Sequence, residues 1–153
     1  MQVFGLAARS GRLGWVLLRN RELLCWGTSQ KGAASPRAAA RMLRRWKGEF
    51  DPDMLVTEHP DQAMHKGPKQ RAILTAFLDV AQDEGLAHVA VGRQRRRANI
   101  YKDAEGLARH FPDLASHVPR KPPIWVTEPY RLVYFEALLL VRDAGLLEDD
   151  RAE

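Results

Sequence analysis

Residues 2–26 read QVFGLAARSGRLGWVLLRNRELLCW, and this stretch decides the fold. Gln2–Ala8 is a short apolar run of strand length. Ser10-Gly11 is a turn signal, and Leu13–Leu18 is a second apolar run, so the two form a hairpin. Asn20-Arg21-Glu22 is another polar break before Leu23-Leu24-Cys25-Trp26, a third strand. Three strands joined by short turns make an antiparallel meander. Gly5, Gly11 and Gly14 fit a tight hairpin. They match neither the dinucleotide fingerprint nor the phosphate-binding P-loop.

Beyond the meander the hydrophobic period changes from strand to helix. Ser35-Pro36 is a helix start, with Ser at the cap and Pro at the first helical position. Ala39, Met42, Leu43, Trp46 and Phe50 line one face, and Asp51-Pro52-Asp53 ends the helix. Met54–Thr57 is a strand that stops at Glu58. Gln70–Glu84 is a second helix with Gly85 as its stop, and His88–Val91 a fifth strand. Lys102–His110 reads as a short helix broken by Phe111–Leu114. Glu128-Pro129 opens a last helix running through Leu132–Leu140 to Gly145. The order βββ-α-β-α-β-α-α implies an α/β sandwich with a mixed five-stranded sheet, three antiparallel strands followed by parallel ones, flanked by helices.

The chain has 153 residues, which fits one domain, taken as 1–147, followed by an acidic tail, 148–153. Its single cysteine, Cys25, excludes an intramolecular disulfide framework and any multi-cysteine zinc site. No apolar run approaches membrane-spanning length, and no signal peptide is evident, so the expectation is a cytoplasmic protein without a membrane partner. The net charge is +5, unevenly spread. Residues 1–50 carry ten basic and two acidic side chains, whereas residues 101–153 carry seven and ten. Arg37, Arg41, Arg44 and Arg45 lie off the apolar face of the first helix, and Arg93, Arg95, Arg96 and Arg97 form a second cluster. They are either solvated faces or phosphate contacts, which makes DNA or RNA the first candidate partner.

The element order resembles the RNase H-like superfamily, and within it the RuvC-type Holliday-junction resolvases. Val3–Ala7 with Gly11 and Gly14-Trp15 resembles their opening strand and turn. Met54–Glu58 resembles the fourth strand ending in a glutamate, Lys69–Leu74 the following helix, His88–Val91 the fifth strand, and Leu132–Leu140 the terminal helix. The similarity runs over approximately residues 3–145. It implies two-metal phosphodiester hydrolysis, with carboxylates converging on Mg²⁺ or Mn²⁺ from the first strand, the fourth strand and the last helix. Glu58 and Glu136 match two of these positions and are the candidate metal ligands. The first-strand aspartate falls at Ala7, and no acid precedes Glu22. Asp143, two turns beyond Glu136, is a third candidate catalytic acid, and Glu128 lies just before that helix. Lys102 resembles a basic residue near the scissile phosphate and reads equally as a plain surface lysine.

Glu136 stands out by its surroundings alone, because Leu132–Val141 is apolar on nearly every side. A carboxylate there needs a cleft or a cation. It is either a residual cleft acid or the partner of an arginine such as Arg9 or Arg12 in the space a metal would take. His59 and His65 flank a loop without zinc spacing and read as surface residues. Trp15, Trp26, Trp46 and Trp125 read as core. Three functions follow: a binder of structured or branched nucleic acid that has lost or much weakened metal-dependent cleavage through Ala7; a divergent Mg²⁺- or Mn²⁺-dependent endonuclease using Glu58, Glu136 and Asp143; or a non-catalytic protein-interaction module. Whether two copies pair as a homodimer stays open.

Overall fold

The computed structural model describes residues 1–9, 11–63, 65–94, 99–119, 129 and 131–147. Its strands are β1 (Gln2–Arg9), β2 (Arg12–Arg19), β3 (Glu22–Ser29), β4 (Met54–Glu58) and β5 (Ala87–Val91). They form one sheet in the order β3-β2-β1-β4-β5. The meander β1-β2-β3 is antiparallel. β4 joins β1 in parallel and β5 joins β4 in parallel. The mixed α/β sheet expected from sequence is the one observed.

Among the described residues five α-helices accompany the sheet: α1 (Pro36–Phe50), α2 (Pro68–Asp83), α3 (Ile100–Ala108), α4 (Pro112–Ala115) and α5 (Leu132–Asp143). Ser35 caps α1 by accepting from the Ala38 amide at 3.0 Å. The segment read as a break at Phe111–Leu114 instead holds the single turn α4, with Pro112 at its first position. Pro favours that position because its missing N–H would be unpaired there anyway. The expected helix opening at Glu128 begins at Leu132 among the described residues, and Glu128 and Trp125 lie outside them.

Both faces of the sheet are buried, which is why β1 is apolar without alternation. Phe4, Leu6 and Ala8 pack with Leu13, Leu17 and Leu55 against α1 and α2. Val3 and Ala7 pack with Val16 and Val56 against α5 and α3. Successive side chains of a strand point to opposite faces. Arg9 therefore shares the α5 face with Val3, Gly5 and Ala7, and Glu58 shares it with Met54 and Val56. Trp46 is core as expected, its ring tilted against those of Phe4 and Trp15. Trp26 packs edge-on against His117.

Two of the glycines do something other than turn the chain. Gly11, with φ 77°, does serve the β1–β2 turn. Gly5 and Gly14 lie within strands, where α5 rests directly on the backbone. A Cβ on Gly14 would come within 2.5 Å of the Val133 carbonyl carbon and 2.6 Å of the Tyr134 nitrogen. A Cβ on Gly5 would meet the Ala137 carbonyl oxygen at 2.9 Å. Glycine in a strand interior commonly marks such close approach.

This close approach sets a prediction. Gly14→Ala must displace α5 and should destabilise the protein by about 2–3 kcal/mol. Gly48→Ala, in α1 with open space around it, should stabilise it by up to about 1 kcal/mol. Urea unfolding of the two variants reads both signs.

Candidate active site

The carboxyl ends of β1 and β4 meet the middle of α5, and there the chain buries a cluster of charges. Glu136 is fully buried on α5, Glu58 is 1% exposed at the end of β4, and Lys66 is 6% exposed. Lys66 comes from the loop between β4 and α2. Its ammonium donates to Glu136 Oε1 at 2.5 Å and to the Ala8 carbonyl at 2.7 Å. It stands 2.9 Å from Glu58 Oε1, an ion-pair contact not aligned as a hydrogen bond. Arg9 closes the other side, donating from Nη1 to Glu136 Oε2 at 2.7 Å. Arg93 Nε lies 3.7 Å from the same oxygen.

The sequence left Glu136 as either a cleft acid or the partner of Arg9 or Arg12. In the structure Arg9 is a partner, and Lys66 is a second one that the sequence reading missed. Ala7 lies beneath this cluster on the α5 face, fully buried. Burial pushes the Glu136 carboxyl up, but Lys66 and Arg9, helped by Arg93, overcome this and hold it down at about 2.

Asp143 does not join Glu58 and Glu136. Seven residues along α5 separate it from Glu136, about 10 Å of rise. Its carboxylate is committed elsewhere: it accepts from the Gln94 amide at 2.8 Å and from Arg142 Nε at 2.9 Å. Arg142 in turn donates to the Gln94 carbonyl at 2.7 Å and to the buried Asp103 at 3.3 Å. Asp103 also lies 3.9 Å from Arg93 Nη1. This second cluster fastens the chain after β5 to the end of α5. The three-acid set expected for a divergent nuclease is thus two acids that meet and one that holds a backbone segment.

The basic candidates divide between the faces of the sheet. Arg37, Arg41, Arg44 and Arg45 are exposed on α1, which packs on the face opposite α5. Arg44 is paired across to α2, 3.1 Å from Asp83 and 3.7 Å from Glu84. Lys102 is exposed near the start of α3, 3.5 Å from Glu105. Arg93 is mostly buried in the acid cluster, not displayed as a surface contact. Arg95, Arg96 and Arg97 lie outside the described residues. His59 caps a 3-10 turn by accepting from the Asp61 amide at 3.1 Å, and His65 is exposed, in keeping with surface roles.

No known family profile and no curated sequence matches the chain. Solved structures do. It is similar to Thermus thermophilus RuvC, with 17% identity, 95% of this chain and 97% of that chain covered, and a TM-score of 0.57. It is equally similar to T. thermophilus RuvC in complex with Holliday junction substrate, at 17% identity, covering 95% and 94% of the two chains, with a TM-score of 0.58. The fold is RuvC-like. In a RuvC-like fold the resemblance implies a divalent metal between acids at the positions of β1, β4 and α5, of which this β1 supplies none. The residues present do not fit one. Magnesium needs several hard oxygen ligands around it. Here a lysine ammonium lies between Glu58 and Glu136, and an arginine holds the far oxygen of Glu136. The described residues contain no cluster of three or more acids, histidines or cysteines able to hold a metal.

The Glu136 carboxyl is held near 2 in the folded chain against about 4.5 when unfolded. A lowered folded value stabilises the protein fully above the unfolded value and loses that contribution as pH falls toward the folded one. Glu136→Gln should therefore cost about 3 kcal/mol at pH 7, and the difference from the parent should shrink between pH 4.5 and 2. Urea unfolding across that pH range checks it.

Proposed function

We propose that this chain is a nucleic-acid-binding protein that recognises structured or branched DNA and has lost metal-dependent cleavage. The observation that carries the binding half is the fold. Its likeness to a protein solved on a Holliday junction spans 95% of the chain. The basic surplus of the first fifty residues supports it, since phosphate contact dominates nucleic-acid affinity. Loss of cleavage follows from Ala7. A two-metal reaction needs carboxylates from separate elements to activate water and stabilise the leaving oxygen. β1 offers none, and its place toward α5 is taken by a methyl group.

The topology supports one end of the molecule as the one that meets the nucleic acid. α1 leaves the sheet after Ser29, level with Leu13 and the end of β1, and returns at Met54 beside Val3. The start of α1 with Arg37, the turn at Lys31 and the hairpin end at Arg12 thus lie at the carboxyl ends of the strands, and the start of α3, with Lys102, is linked to that end through Arg93, which reaches both Asp103 and Glu136. Ligands of open α/β sheets bind at that end. Arg41 and Arg45 lie further down α1 and contribute through the general field.

Fluorescence anisotropy with a four-way junction, a linear duplex and a single strand tests the reading. Binding should weaken steeply with salt, with the junction held tightest. The double variant Arg37→Ala/Lys102→Ala should lower the slope of log affinity against log salt by about 2. No strand should be cut with Mg²⁺ or Mn²⁺. Absence of binding at about 50 mM salt would favour the protein-interaction module. Junction cleavage that vanishes in Glu58→Gln would restore the nuclease.

A further inference from the structure

Lys66 has the geometry of a ligated cation. Three oxygens surround its ammonium: the Ala8 carbonyl and Glu136 Oε1 accept hydrogen bonds from it, and Glu58 Oε1 lies 2.9 Å away as an ion pair. Each comes from a different element, β1, α5 and β4. These are the three elements that converge on the cleft. The first-strand contribution is a backbone carbonyl, available even though the side chain there is alanine. The lysine is almost fully buried, so its flexible stem has been ordered at an entropic cost that an exposed lysine does not bear.

We propose that Lys66 is the resident cation of this cleft: its ammonium takes the place of a divalent ion between Glu58 and Glu136 and excludes such an ion from the folded protein. Two carboxylates buried this close repel each other unless a positive charge lies between them. Lys66 supplies that charge from within the chain, permanently and without dependence on metal concentration. Removing it leaves two buried oxygens facing one space. Glu58 Oε2 already lacks a hydrogen-bond partner among the described residues. That arrangement is a vacated oxygen site for a hard divalent cation. The inference holds whether or not the chain binds nucleic acid.

The test uses Mn²⁺ as probe, at matched ionic strength, with the wild type and Lys66→Ala. Electron paramagnetic resonance reports bound ion and thermal unfolding reports stability. Wild type should bind no Mn²⁺ at the cleft, and its Tm should not move. Lys66→Ala should lose about 10 °C in metal-free buffer. It should regain about 5 °C at roughly one hundred times the dissociation constant of Mn²⁺. The gain should disappear in Lys66→Ala/Glu58→Gln. Wild-type Mn²⁺ binding that Glu58→Gln abolishes would overturn the proposal. So would a Lys66→Ala protein that is as stable as wild type and indifferent to Mn²⁺. A Lys66→Ala protein that stays unfolded in saturating Mn²⁺ would also overturn it, because the cleft would then need the lysine stem and not a cation.

Discussion

A carboxylate buried in the apolar middle of a helix is the constraint around which this structure is arranged. Glu136 has no solvent to turn to, and an isolated charge there would be prohibitively costly. Lys66 and Arg9 reach it from a loop and a strand far away in sequence, and between them they occupy both of its oxygens. The consequences spread outward. The β4–α2 loop is tied to β1 through the Lys66–Ala8 bond. The end of β1 is tied to α5 through Arg9. The sheet's carboxyl end is therefore closed by charge pairing.

Buried ion pairs of this kind often contribute little net stability compared with a well-packed apolar alternative. Their effect is directional. Glu136 is satisfied only when β1, α5 and the Lys66 loop are all in register, so the cluster specifies one arrangement more than it deepens the well. The second cluster, Asp103 with Arg142, Asp143 and the backbone of Gln94, does the same for the chain that leaves β5. Both clusters engage Arg93, which lies 3.7 Å from Glu136 and 3.9 Å from Asp103. The α5 face is thus pinned at two points along one helix, with apolar contacts between them.

The sheet and its helices were legible because their signals are local. Apolar runs of strand length, the Ser35-Pro36 cap and the helical spacing of Ala39 to Phe50 each depend on neighbours within a few residues. Glu136 was legible too, as an anomaly within Leu132–Val141. Lys66 was not, since a lysine in a polar loop next to His65 and Gly67 looks like any surface lysine. The signal that finds it is indirect: a buried glutamate whose first-strand counterpart is Ala7 demands cations from somewhere. Gly5 and Gly14 were read as hairpin residues for a similar reason. Their contacts are with α5, more than a hundred residues away, and only their placement inside strands distinguishes them from turn glycines. Asp143 matched by helical spacing, yet its partners lie on a segment whose path the spacing does not encode.

The basic surplus takes on a different meaning once placed in space. Ten cations in the first fifty residues look like one surface in the sequence. The fold separates them, because α1 packs on one face of the sheet while Arg9 turns toward α5 on the other. Arg44 is paired with acids of α2, and Arg9 is consumed by Glu136. Of the rest, Arg12, Lys31 and Arg37 stand near the carboxyl ends of the strands, Arg41, Arg45 and Lys47 run along α1, and Arg19 and Arg21 lie at the opposite end, in the β2–β3 turn beside Gln2. A chain that neutralises its own cleft with Lys66 and Arg9 also removes the negative potential that a bare pair of acids would present to phosphate. An acid cleft without metal repels a nucleic acid; the same cleft filled by internal cations does not. An alanine at position 7, where an acid would add charge, and the presence of Lys66 therefore act in the same direction, since each leaves this end of the sheet less negative.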